Sequence, residues 1–71
     1  MSIGESIRRH RMEKQLTQTQ LADRVGVSES MICQLERGTK TLTVPLGNQI
    51  AEALGVPLLA LIGQDDSEQA G

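Results

Sequence analysis

Residues 16–38, LTQTQLADRVGVSESMICQLERG, hold two short helix signatures with only a glycine-marked turn between them. Thr17 is a good N-cap, and Gln20 three places on can reach back to the Thr17 N–H, the reciprocal geometry of a capping box. Leu16 and Leu21 flank that cap as a hydrophobic staple, which fixes the angle at which the chain turns into the helix. The pattern predicts a helix from Gln18 to Val25. Gly26 then stands where a left-handed residue is wanted, because it lacks the Cβ that penalises positive φ. The same logic repeats at once: Ser28 caps a second helix, Val27 and Ile32 can staple it, and Gly38 ends it.

The faces of that second helix differ in kind. At 100° per residue, Ser28, Met31, Ile32 and Leu35 fall on one side, and Ser30, Cys33, Gln34 and Arg37 on the other, with Glu29 at the boundary. An ordinary solvated face would carry solubilising Glu and Lys. Here the outward side carries Ser, Cys, Gln and Arg, mostly groups that hydrogen-bond to base edges or phosphates.

The rest of the chain reads as three more helices. Ile3 to Gln15 forms the first, with Ile3, Ile7 and His10 near one face and Arg8, Arg9 and Glu13 largely outside it. After a loop from Thr39 to Leu42, Thr43 caps a fourth, in which Pro45 is tolerable because the first turn needs no intrahelical N–H. Val44, Ile50, Ala51 and Leu54 are expected to point inward, and Gly55 stops the helix. Pro57 opens a short fifth helix, LLALI, closed by Gly63. Residues 1–63 are thus expected to form one all-α, five-helix domain. Residues 64–71, acidic and nearly free of apolar side chains, are expected to form a flexible tail.

Composition narrows the function classes. A chain of 71 residues buries roughly 60% of its unfolded surface, and without Phe, Trp or Tyr its core must come from Ile, Leu, Val, Met and Ala. Marginal stability is expected, and dimerisation would raise it. One Cys excludes an internal disulfide, and one His with one Cys cannot supply a four-ligand zinc site, so neither metal nor cofactor is expected. No run approaches a membrane span and no charged-then-apolar leader opens the sequence, which reads as cytoplasmic and without a membrane partner. A lone His, no evident acid pair and no phosphate-cradling glycine loop argue against an enzyme, so no catalytic residue is assigned. The net charge of −2 conceals a polarity: all seven basic residues lie at or before Lys40. Met1 to Thr41 holds seven basic and five acidic residues, whereas the remainder holds four acidic and no basic ones. The basic end can meet phosphate while the acidic end faces away or meets a partner.

The punctuation of these five helices resembles the Cro/C1-type (XRE-like) helix-turn-helix domain of the phage-repressor family, from Ile3 to about Ile62. The specific parts are IRRHR in the first helix, LTQTQLADRVGVS leading into the recognition helix, QLERG at its end, and IAEALGVPL near the C-terminus. The resemblance implies a compact phage-repressor-like fold and a sequence-specific, double-stranded DNA-binding transcriptional regulator, a repressor by type. The helix at 28–37 would lie in the major groove, with a homodimer on a pseudo-palindromic operator. It places Glu29, Ser30, Cys33 and Gln34 toward the bases. Gln18 and Thr19, at the start of the preceding helix, would lie on the DNA backbone together with Lys40, Thr41 and Thr43 of the following loop, and Arg37 is assigned to phosphate. Arg11 and Glu36 occupy the positions of an internal ion pair. The apolar stretch with Leu58, Leu59, Leu61 and Ile62 is the expected dimer surface. His10 and Gly47 depart from the family pattern, since both stand at core positions, and Gly47 costs up to about 1 kcal/mol of helix propensity.

Among base contacts, Gln34 suits adenine N6 and N7, Glu29 suits cytosine N4, and Cys33 can touch a thymine methyl as a small apolar group or act as a redox-sensitive contact. A protein-interaction module, such as an antitoxin or antirepressor with DNA binding secondary or lost, is the alternative left open by the low net basicity and the apolar fifth helix. A toxin or an antirepressor would then be the protein partner, whereas for a DNA-bound regulator activation through contact with polymerase fits the residues as well as repression does.

Overall fold

In a computed structural model the described residues, 2–62, form four helices in the order α1 (Ile3–Glu13), α2 (Gln18–Val25), α3 (Glu29–Arg37) and α4 (Val44–Leu54), followed by a short helical segment, α5, at residues 58–62. The expected acidic tail, 64–71, lies outside the described residues. Each of the four longer helices begins on a hydroxyl cap. Thr17 and Gln20 form the expected capping box, and Ser28 and Thr43 accept from the N–H groups of Met31 and Leu46. Ser2 and Glu5 form a second box that the sequence reading did not identify.

The ends carry one correction. Gly26 and Gly38 take up φ of 84° and 85°, so the two residues that flank α3 reverse the chain at no Cβ cost. α1, however, stops at Glu13 instead of reaching Gln15, and Gln15 itself sits at φ 58°. The reason is a Schellman-type closure: Gln15 N–H donates to the Met12 carbonyl at 2.9 Å and Leu16 N–H to that of Arg11 at 3.1 Å. A glutamine here does what a glycine usually does.

The core is wholly aliphatic. Ile7, Leu21, Ala22, Ile32, Leu35, Ile50, Ala51, Leu54 and Leu61 are buried together, one or more from every helix. Leu61 is fully enclosed, which removes it from the expected dimer surface: α5 is too short to stay folded alone, so it turns one leucine into the domain. Val44 was expected inside but is 67% exposed. At the first position of α4 it precedes the packed part of the helix, and Leu42 and Leu46 fill the space instead. Ser28, on the inward side of the helical wheel, is exposed as a cap.

Two small residues let the elements close. Gly4 is buried where α1 crosses the end of α3, and a Cβ there would press on the Leu35 and Glu36 carbonyls. Gly47 is buried against Leu58 and Leu42, with a Cβ site 3.0 Å from Leu58 Cδ1, so a larger residue there would have to displace these leucine side chains. Ser6, fully buried, donates its hydroxyl to the Ala60 carbonyl at 3.2 Å and so ties α1 to α5. His10 remains half-buried, its Nδ1 2.8 Å from the Ser6 carbonyl, a local bond along its own helix.

Candidate nucleic-acid interface

α2 and α3 meet through Leu21, Ala22, Ile32 and Leu35, and the three residues between them leave α3 at the molecular surface. Its outward side is open. Glu29, Ser30, Gln34 and Arg37 are exposed, and Cys33 is half-buried between that side and the core. Met31 on the inner side is half-buried, and Ile32 and Leu35 are enclosed. The sequence assignment of the two faces thus holds from Met31 onward, with Ser28 exposed as the cap and Cys33 less accessible than its neighbours.

The open side carries little internal bonding. Gln34 Nε2 donates to Ser30 Oγ at 3.4 Å, one turn earlier. The Gln34 carbonyl accepts from the Gly38 and Thr39 N–H groups, both at 3.0 Å, and from the Thr39 hydroxyl at 3.2 Å. The sequence places Thr39 in the loop expected to meet phosphate, and its closing of α3 is an addition from the structure. Its signal was a short hydroxyl directly after the terminating glycine, the position from which a side chain can reach back to orphan helix carbonyls. By closing the end of α3 it fixes where the chain leaves for Lys40 and Thr41, both exposed.

The backbone-contact candidates divide into free and engaged groups. Thr19, Lys40 and Thr41 are exposed with no side-chain bond among the described residues. Thr43 is exposed, but its hydroxyl oxygen already accepts from Leu46 N–H at 3.3 Å as the cap of α4, leaving the hydroxyl proton for an outside acceptor. Gln18 is half-buried, and its Nε2 donates to Glu36 Oε1 at 3.1 Å.

Glu36 is the hub of that engagement. Arg11 Nε meets Glu36 Oε2 at 2.6 Å and Arg11 Nη2 meets Oε1 at 3.2 Å, a two-pronged pair whose side chains are 12% and 5% exposed. The remaining prong of the guanidinium, Nη1, donates to the Leu16 carbonyl at 2.7 Å. One carboxylate therefore joins α1, the start of α2 and the end of α3. The expected ion pair is present, and its reach to Gln18 is an addition to the sequence reading. With Arg11 neutralised inside, the positive charge left near the open side of α3 comes from Arg37 and Lys40, against Glu29.

Residues 7–61 match the family model described as helix-turn-helix. The chain belongs to the Cro/C1-type helix-turn-helix family of DNA-binding transcriptional regulators. It is 32% identical over 65 residues to the immunity repressor protein of Bacillus phage phi105, covering 92% of this chain but 45% of that one. It is 36% identical to an uncharacterised transcriptional regulator of this type from Sinorhizobium fredii, covering 97% of this chain and 90% of the other. Among solved structures, the P22 c2 repressor in complex with a synthetic operator superposes with a TM-score of 0.82 at 29% identity, over 87% of this chain and 94% of that one. The clp gene regulator ClgR from Corynebacterium glutamicum gives 0.85 at 27% identity, over 93% and 86%. No helix among the described residues is long and apolar enough to cross a membrane.

Proposed function

We propose that this family member reads double-stranded DNA by seating the outward side of α3 in the major groove, and that it does so as a homodimer acting as a transcriptional repressor. The observation that carries the reading is that side itself: Ser30, Gln34 and Arg37 lie exposed along it, with Glu29 exposed at its boundary, on a helix held from behind by Ile32 and Leu35. Glu29, Ser30, Cys33 and Gln34 face the bases, with Gln34 suited to adenine. Arg37, Lys40, Thr41, Thr43, Gln18 and Thr19 contact phosphates, which position the helix without carrying sequence information.

Two subunits related by a two-fold axis would read half-sites about one helical turn apart, some 34–36 Å between centres. Leu58, Leu59 and Ile62 supply the dimer surface, and Leu59 is its most exposed member. The P22 c2 repressor in complex with a synthetic operator is the structural parallel that supports the DNA reading. The expected site of action is the cytoplasm, on the nucleoid.

Selection of bound duplexes from a randomised pool, followed by titration at several salt concentrations, tests the reading. A symmetric preferred sequence is expected, with affinity falling steeply as salt rises because several phosphates are neutralised. Absence of any selected sequence at low salt would transfer the role of the open face to a protein partner.

A further inference from the structure

The Gln34 side chain lies back along α3 toward Ser30, and its Nε2 donates to Ser30 Oγ at 3.4 Å. Both residues are exposed, at the spacing where side chains meet on a helix surface. We propose that Ser30 is a positioning residue that sets the Gln34 amide for adenine, instead of contacting a base itself. The inference rests on the reading of Gln34 given above.

A glutamine amide has two N–H donors and one carbonyl oxygen. Ser30 takes one N–H, which leaves one N–H and Oε1, the donor and acceptor that adenine N7 and N6 require side by side. At 3.4 Å the bond is long, so what it supplies is direction more than strength. An unrestrained glutamine samples many rotamers that must be given up on binding, whereas an amide already laid toward the helix N-terminus gives up fewer. The backbone of Gln34 is held as well, since its carbonyl accepts from Gly38, Thr39 N–H and the Thr39 hydroxyl. The backbone of the reading residue is thereby held by the turn after it, and its amide is directed by its own helix. Ser30 accepts through one lone pair and keeps its hydroxyl proton, so a base contact of its own would show as a loss at a base pair other than the one Gln34 reads.

The test measures binding of the wild-type chain, Ser30→Ala, Ser30→Thr, Gln34→Ala and the Ser30→Ala, Gln34→Ala double variant. The probes are the duplex selected by the wild type from a randomised pool and every single-base-pair substitution of it. Ser30→Ala is expected to lower the preference for adenine at the pair read by Gln34 about two- to tenfold, the worth of one immobilised side chain. Ser30→Thr should keep the preference because it keeps the hydroxyl, and in the Gln34→Ala background Ser30→Ala should change nothing further. All variants should melt with the wild type, since both side chains are exposed. A Ser30→Ala loss at a different base pair, or losses that add in the double variant, would overturn the positioning role while leaving the adenine contact intact. If Gln34→Ala alone leaves every preference unchanged, the adenine contact falls first and this inference with it.

Discussion

Gly4 of α1 lies directly against the Leu35 carbonyl of α3, so close that its position has no room for a Cβ, and the Glu36 carbonyl would stand 2.6 Å from that same atom. Backbone at both sides means that neither partner can rotate out of the way. Gly4→Ala gains about 1 kcal/mol of helix propensity but forces the two helices apart, at a cost of about 1–3 kcal/mol or more. The steric effect wins, because the obstacle is main chain and not the end of a flexible side chain. Thermal unfolding is expected to fall by about 4–8 °C for each kcal/mol of net loss. A melting temperature equal to or above wild type would show that α1 and α3 have slack at this crossing.

The Arg11–Glu36 pair joins the same two helices by charge. Its side chains are only 12% and 5% exposed, so it is screened far less than a surface pair. Arg11→Ala leaves the Glu36 carboxylate buried with the Gln18 amide as its one remaining side-chain donor among the described residues, and a loss of about 3–5 kcal/mol is expected. Replacing both residues by Met removes the stranded charge and should cost less than Arg11→Ala alone. Denaturant midpoints of the three proteins check this, and equal midpoints for wild type and Arg11→Ala would mean that the pair contributes nothing to folding.

These two contacts mark what the sequence could and could not disclose. The caps at Thr17, Ser28 and Thr43 and the stops at Gly26, Gly38 and Gly55 are local chemistry, and they delimit α2, α3 and α4 within a residue of where the structure has them. The outward row on α3 was legible for the same reason, since periodicity alone sorts Ile32 and Leu35 from Ser30 and Gln34. Gly4 gave no such signal, because the need for it arises only where two distant segments cross. Leu61 and Leu59 were indistinguishable in an apolar run of five, and only the packing of α5 against Ser6 decides which one enters the core. The ion pair came from family resemblance, while Gln18 joining it depends on how α2 is tilted against α3.

Gln15 tests the turn that ended α1 early. A non-glycine residue at positive φ carries a cost of about 1–2 kcal/mol, offset in part by the greater chain entropy that glycine would lose on folding. Gln15→Gly is therefore expected to stabilise the domain by about 1 kcal/mol, raising the melting temperature by a few degrees. A neutral or lower melting temperature would show that the glutamine side chain compensates its backbone.

Base and phosphate contacts are separable by how mutation acts. Gln34→Ala should cut discrimination at one or two base pairs by about 1–3 kcal/mol each, with little change on unrelated duplexes. Lys40→Ala should weaken all duplexes alike and reduce the salt slope by about 1, as loss of one phosphate contact requires. Competition titrations at two salt concentrations give both quantities. The reverse pattern, a sequence-dependent loss for Lys40→Ala and a uniform one for Gln34→Ala, would reassign the two residues.

Leu59 and Leu61 stand two residues apart, at 69% and 0% exposure, and this contrast separates folding from assembly. Leu61→Ala empties part of the core and is expected to cost about 2–5 kcal/mol, lowering the melting temperature at every protein concentration. Leu59→Ser removes an exposed apolar side chain that has little to lose in the isolated subunit, so its effect should appear in mass action alone. Sedimentation equilibrium is expected to show weaker self-association for Leu59→Ser, together with a melting temperature that no longer rises with concentration. An unaltered association constant would place the subunit contact elsewhere on the molecule, and the spacing between two α3 helices would then have to be set by a different surface.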